Sequence, residues 1–193
     1  MATNKPQITI RPIIKEDQAE AAEIWRCGLQ QTVDACASKL YLPLWVVQPV
    51  LGRLFDRLAE NAMSSQGDVG PNGSNLCQHW KGDDRCMFVA CLKGQNKSNK
   101  IVGLVGAKLG MKECDKATTE EQHMASVWRL SVSDSFRRKG IAEKLMLRAE
   151  EWAREKQCDT MTLITANPIA SRFYTTKMHY SCGIMSFRYH KKL

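Results

Sequence analysis

The eight cysteines include no Cys-x-x-Cys pair, and the four histidines do not join them at metal-ligand spacing. No structural zinc and no resident metal are expected. Eight cysteines in 193 residues are also too sparse for a disulfide scaffold. The amino-terminal run MATNKPQITIRPII lacks the long apolar stretch of a secretory signal. Together these absences indicate a reducing compartment, read as the cytoplasm, and mostly buried free thiols. No segment supplies the roughly 18–20 apolar residues that span a membrane, so no integral membrane segment is expected. The most apolar run, Leu40–Leu51, is broken by Pro43, Gln48 and Pro49. It reads as a kinked, buried or groove-lining helix, with a membrane-surface contact beside Arg53 and Arg57 as the alternative. The phosphate loops GxxxxGK(S/T) and GxGxxG are missing. Aromatic-basic interleaving and a recognisable nucleic-acid module are missing too, which argues against a nucleic-acid partner despite the charge of +8.

What is present is an ordinary globular composition, 44% hydrophobic and 25% charged, with an uneven basic excess. Residues 1–100 carry 12 basic and 10 acidic groups, whereas 101–193 carry 16 and 10. An anionic ligand therefore belongs to the second half. The length suits one domain over 1–193 with a substantial core.

Alternation of β-branched and polar residues over Gln7–Ile14 predicts a first strand. Asp17 opens a helical pattern through Ala21, Ile24, Trp25 and Leu29, and a second helical region covers Leu44–Met63. Residues 64–85, rich in Ser, Gly, Asn and Asp, read as a long mobile loop. Cys86–Lys93 and Lys100–Leu109 read as paired strands joined by GQNKSN, and His123–Val132 as another strand. Gly140–Lys156 is the clearest helix, with Ile141, Leu145, Ala149 and Trp152 in one stripe. Thr160–Thr165, Asn167–Lys177 and Gly183–His190 complete the order as strand, helix and strand. That order implies an α/β (α+β) fold with a mixed sheet and helices on both faces.

The chemistry concentrates at the junction after Val132, where RRKGIA, Arg137–Ala142, leads into the long helix. A helix N-terminus offers unpaired N–H groups and the positive end of the helix dipole, which suit a phosphate or pyrophosphate. Gly140 and Ala142 allow close approach, and Arg137, Arg138 and Lys139 add charge. The competing reading of the RRK tripeptide is a solvated charge run. Downstream lies Asn167-Pro-Ile-Ala-Ser-Arg-Phe-Tyr174.

These two elements, in this order, resemble the GCN5-related N-acetyltransferase (GNAT) superfamily. RRKGIA is similar to its acetyl-CoA motif R/Q-x-x-G-x-G/A, and Asn167–Tyr174 to its N-x-x-A-x-x-x-Y element. ITIRPIIKED resembles the family's opening strand and turn. The resemblance implies a GNAT-like, mostly antiparallel mixed sheet and acetyl-CoA as co-substrate. It implies that the backbone of Leu130, Ser131 and Val132 pairs with the pantetheine arm. The backbone from Arg138 through Gly140, Ile141 and Ala142 to Glu143 would cradle the pyrophosphate, with Arg137 and Lys139 beside it. Asn167 would help hold the cofactor, and Tyr174 would stand near the thioester sulfur as general acid. Asn167 before Pro168 is also a good helix N-cap, and Tyr174 also suits a packed aromatic.

The pattern departs from the family in two places. The positions where the family often carries a basic Glu match Ser126 and Thr162, neither of which is a base at neutral pH. His123, Glu120 and Glu121 lie near in sequence, with a solvated role favoured for His123; water relay or capture of a neutral amine are the other routes. The glycine that usually follows the last helix is replaced by Met178, which puts that turn in doubt. The implied reaction is acetyl transfer to a primary amine, with a small molecule as the first acceptor class. Protein N-terminal or lysine acetylation, or a CoA-binding regulator without catalysis, are the alternatives. A homodimer is left open.

Overall fold

The computed structural model describes residues 7–37, 73–93, 99–110, 123–165, 167–182 and 188–193. Its centre is a seven-stranded sheet: β1 Ile8–Pro12, β2 Arg85–Lys93, β3 Asn99–Leu109, β4 Met124–Val132, β5 Thr160–Ile164, β6 Ser181–Cys182 and β7 Arg188–Lys192. The spatial order is β1-β2-β3-β4-β5-β7-β6. Every neighbouring pair is antiparallel except β4 and β5. A parallel pair needs a crossover, which the helix over Ile141–Glu155 supplies.

Among the described residues four helices flank the sheet: α1 Gln18–Ala37, α2 Leu76–His79, α3 Ile141–Glu155 and α4 Pro168–Thr176. α1 begins after a short 3-10 turn at Lys15–Asp17. The Asp17 carboxylate accepts from the Ile14 N–H at 2.9 Å and from both Arg11 terminal nitrogens, at 2.5 and 2.8 Å, pinning this turn to β1. Desolvation alone would raise the Asp17 pKa, but the Arg11 bonds, the Ile14 N–H and the Arg11 charge outweigh it and hold the carboxyl below its ordinary value.

The sheet separates two apolar clusters. Leu145, Met146, Ala149 and Trp152 of α3 pack with Phe88, Met161 and Tyr174 on one side. Ala21 and Trp25 of α1 pack with Leu76, Trp80, Met87 and Leu104 on the other. The helical stripe read from the sequence in α3 is therefore its buried face. Trp80 lies against β3 at Gly106, where an added Cβ would stand 2.6 Å from the indole, so only glycine fits there.

Four expectations need correction or limits. The Leu44–Met63 helix and the Leu40–Leu51 run lie outside the described residues. Of the 64–85 loop, the described part from residue 73 is not loose: it contains α2 and buries Leu76 and Trp80, because two large apolar side chains outweigh the polar composition around them. The thiols are not mostly buried: among the described cysteines Cys91 and Cys158 are buried, Cys77 and Cys86 are partly so, and Cys27 and Cys182 are exposed.

Candidate functional site

β4 and β5 are paired only at Met124–Thr160, Ala125–Met161 and Ser126–Thr162. Beyond Ser126 the two strands part, which leaves one side of the β4 backbone from Val127 to Val132 without a β5 partner. Peptide groups in such a gap need hydrogen bonds from elsewhere, and an extended ligand carrying amides supplies them. A bulge lies on the same stretch: Gly106 faces Trp128 and Leu104 faces Ser131, so β4 has one residue more than β3. Arg129 takes up the irregularity with φ 52.

β4 ends in a 3-10 turn over Asp134–Phe136 and the chain then enters α3. Gly140 is the N-cap, with φ 76, and offers no side chain to cap the helix. The first N–H groups of α3 therefore remain open to an anion. Nothing lies within 4 Å of where a Gly140 Cβ would stand, so the glycine answers the left-handed backbone and leaves the approach clear.

A cavity of about 480 Å³ sits at this junction. Val132, Arg137, Arg138, Gly140, Ile141, Ala142 and Glu143 line it, with Phe136, Phe173 and Lys177. Phe173 and Lys177 from α4 were not among the residues expected from the motif; their signal was only their place beside Tyr174.

The three cations differ in what they do. The Arg137 guanidinium donates to the Val132 carbonyl at 3.2 Å, pairs with Asp134 at 3.1 Å and also donates to Gln31 of α1. It ties the turn to α1. The Lys139 ammonium donates to the Ser135 carbonyl at 2.9 Å and lies 4.8 Å from the Phe136 ring centroid. Arg138, exposed and at φ 56, makes no ion pair among the described residues. The RRK side chains thus divide between two that are bonded to protein groups and one, Arg138, that is exposed.

Leu130, Ser131, Lys139, Asn167 and Tyr174 do not line this cavity. Leu130 packs against the cluster under α3. Ser131 faces α1 so closely at Gly28 that no side chain fits there. Asn167 caps α4, its Oδ1 accepting from the N–H groups of Ile169 at 3.0 Å and Ala170 at 3.4 Å. Tyr174 is buried between Phe173, Tyr180 and Tyr189, with ring centroids 5.3, 5.9 and 6.3 Å away. Burial raises its phenol far above its ordinary pKa, so it stays protonated.

Both positions expected for a base are occupied by bonded hydroxyls. Ser126 Oγ donates toward the carbonyls of Lys108 at 3.2 Å and Gly110 at 2.9 Å, and accepts from Trp128 Nε1 at 2.9 Å. Thr162 Oγ1 donates to the Tyr189 carbonyl at 3.0 Å. His123 is exposed where β4 begins, and Glu120 and Glu121 lie outside the described residues. The lost glycine after α4 is answered one residue later, where His179 adopts φ 59 and the Tyr180 N–H reaches the Tyr174 carbonyl at 3.0 Å.

Among the described residues no helix is long and apolar enough to cross a membrane. No three His, Cys, Asp or Glu side chains of the described residues gather as a metal site.

Solved structures share the architecture. The PaiA N-acetyltransferase of Thermoplasma acidophilum, in complex with coenzyme A, superposes with a TM-score of 0.56 at 18% identity, covering 97% of this chain and 99% of that one. A GNAT-family acetyltransferase of Staphylococcus aureus gives 0.59 at 14%, covering 97% and 99%. Another, from Brucella melitensis in complex with acetyl-CoA, gives 0.53 at 12%, covering 97% and 88%. At such identities the likeness is one of fold. No match to a curated protein sequence was found. The family model described as "Acetyltransferase (GNAT) family" matches residues 55–180, more than half the sequence, and takes in the parted strands and the α3 junction. The chain belongs to the GNAT acetyltransferase family, whose co-substrate is acetyl-CoA.

Proposed function

We propose that this protein transfers the acetyl group of acetyl-CoA to the primary amine of a small molecule. The observation that carries the proposal is the separation of β4 from β5 directly beside the uncapped amino-terminus of α3. Together they offer amide partners for the pantetheine arm and N–H donors for the phosphates, with the Arg138 charge close by. A sheet built from residues near both termini, β1 to β7, supports treating 1–193 as one domain.

The co-substrate supplies an activated acyl group and a thiolate leaving group. The chain's part is to hold the thioester still, to stabilise charge and to keep water away. Backbone N–H groups of the bulged strand near Leu130 are the donors for the carbonyl oxygen. Tyr174 offers its hydroxyl as a hydrogen-bond donor to the sulfur. Full proton transfer is the less favourable role, since a free phenol has a pKa of about 10 against about 8.5 for a thiol, and burial widens that gap. Because Ser126 and Thr162 are both committed to backbone carbonyls, the amine is taken up neutral or loses its proton through water.

Those same two hydroxyls favour a second reading, a CoA-binding regulator without turnover. Release of free thiol from acetyl-CoA, measured across a library of small amines and amine-bearing peptides, decides between them. Turnover of a small amine is the expected result. Stabilisation of the protein by CoA without turnover of any amine would establish the regulator, and turnover of peptides alone would shift the acceptor class to protein.

A further inference from the structure

Among the described arginines without an ion pair, Arg129 differs from the exposed Arg26 and Arg138 in being partly withdrawn from solvent. Arg11 pairs with Asp17, Arg85 with Asp84, Arg137 with Asp134, Arg148 with Glu151 and Glu155, and Arg154 with Glu150. Arg129 is half-buried, has no carboxylate partner among the described residues, and its buried Nε has no hydrogen-bond acceptor. Among the described residues it lies over the indole of Trp25, with the guanidinium carbon 5.4 Å from the ring centroid.

The β4 bulge accounts for this placement. In a regular strand successive side chains alternate between faces. Here Trp128 packs with the α1-side cluster and Leu130 with the α3-side cluster, while Arg129 between them lies over Trp25 of α1. The extra residue thus turns a guanidinium toward the α1 face, immediately beside Leu130. It does so with a left-handed φ of 52, which a long side chain rarely adopts. A half-buried cation with no carboxylate partner among the described residues and a left-handed backbone coincide at one residue, and folding alone rewards neither. A cation–π contact offsets only part of the desolvation. Burial acting alone lowers the Arg129 pKa, in keeping with a cation that lacks a counter-charge.

We propose that Arg129 is a specificity-determining residue that pairs with a carboxylate of the acceptor, so that the substrates are small amines bearing a carboxylate. The proposal rests on the acetyl-transfer reading and names the acceptor class within it. A guanidinium presents parallel N–H donors that match the two oxygens of a carboxylate. The cluster around Trp25, with Ala21, Leu76, Trp80 and Met87, has no charged side chain among its described members. One positive charge beside such a cluster balances a single negative charge, which fits a carboxylate better than a doubly charged phosphate.

The test uses matched sets: an amino acid, its neutral carboxamide and the amine lacking the carboxyl carbon, each assayed by thiol release from acetyl-CoA. The corresponding N-acetyl products are titrated calorimetrically onto the full protein with CoA present. The expected result is a preference for the carboxylate of about 100-fold in kcat/KM, expressed mainly in KM. In Arg129→Gln that preference falls to within threefold, and binding of the N-acetyl amino acid is lost. Arg129→Lys keeps the charge without the planar fork and retains only part of the preference, which serves if the Gln variant fails to fold. Equal use of acid, amide and amine by the natural protein overturns the proposal while acetyl transfer stands. So does a preference that survives Arg129→Gln. If no amine is acetylated and no N-acetyl amino acid binds, acetyl transfer and the role of Arg129 both fall.

Discussion

The Lys191 ammonium of β7 lies 2.9 Å from both carboxylate oxygens of Glu150, a residue of α3 that is 1% exposed. The pair fastens the end of the chain to the buried face of the helix whose other end forms the α3 junction. Arg154 adds a longer contact at 3.6 Å. Removing Lys191 leaves the buried carboxylate with only the longer Arg154 contact, whereas removing both members leaves a volume to fill. Lys191→Ala is expected to destabilise the fold by about 3 kcal/mol, and the double change Glu150→Leu with Lys191→Met to restore most of it. Urea unfolding of the two variants and the natural protein measures the difference.

Tyr174 combines a packed ring with a hydroxyl that has no hydrogen-bond partner among the described residues. Tyr174→Phe keeps the ring contacts with Tyr180 and Tyr189 and removes only that hydroxyl. Turnover on the best amine is expected to fall by about 100-fold with the melting temperature nearly unchanged. Retained kcat would reduce Tyr174 to a core aromatic.

Asn167 is expected to show two separable effects. Its Oδ1 satisfies two N–H groups at the start of α4, and losing the cap in Asn167→Ala should cost about 1 kcal/mol. Asn167→Asp preserves an acceptor for the cap but places negative charge on the residue expected to help hold CoA. Thermal melts should spare the Asp variant relative to the Ala variant. CoA titration should show weaker binding for Asp if the residue also meets the cofactor, and unchanged binding if it is a cap alone.

The Arg11–Asp17 pair makes one part of the stability dependent on pH. Asp17 is held below its unfolded pKa, so the folded state binds its proton less readily than the unfolded state does. Its contribution is complete above the unfolded value of about 3.9 and is lost as pH falls through the lower, folded value. The difference in melting temperature between the natural protein and Asp17→Asn is therefore expected to persist at pH 7 and shrink below about pH 4. A difference that stays constant from pH 7 to pH 3 would refute the linkage.

How far the site can be read from the sequence depends on the range of the interaction. The α3 stripe, Gly140 at the helix start and Asn167 before Pro168 are local signals, each set by helix period or by the needs of a helix end. They place the acetyl-CoA motif and the order of strands and helices. The turn after α4, left in doubt by Met178 in place of glycine, closes with the left-handed residue at His179 and with Tyr180 buried beyond it. Arg137, Arg138 and Lys139 are nearly alike as letters. Their separation into a tether to α1, an unpaired cation and a contact within the turn depends on Gln31, far away in the chain.

The sequence by itself determined the family, the alternation of strands and helices, and the chemistry of the α3 junction, because those follow from spacing along one segment. Only the tertiary structure decided which backbone is left without a partner and which charge is left without a counter-charge. The parting of β4 from β5 and the bulge that turns Arg129 toward Trp25 arise from register between strands distant in sequence. A one-residue change in register redirects every side chain beyond it, and no local pattern of letters carries that information.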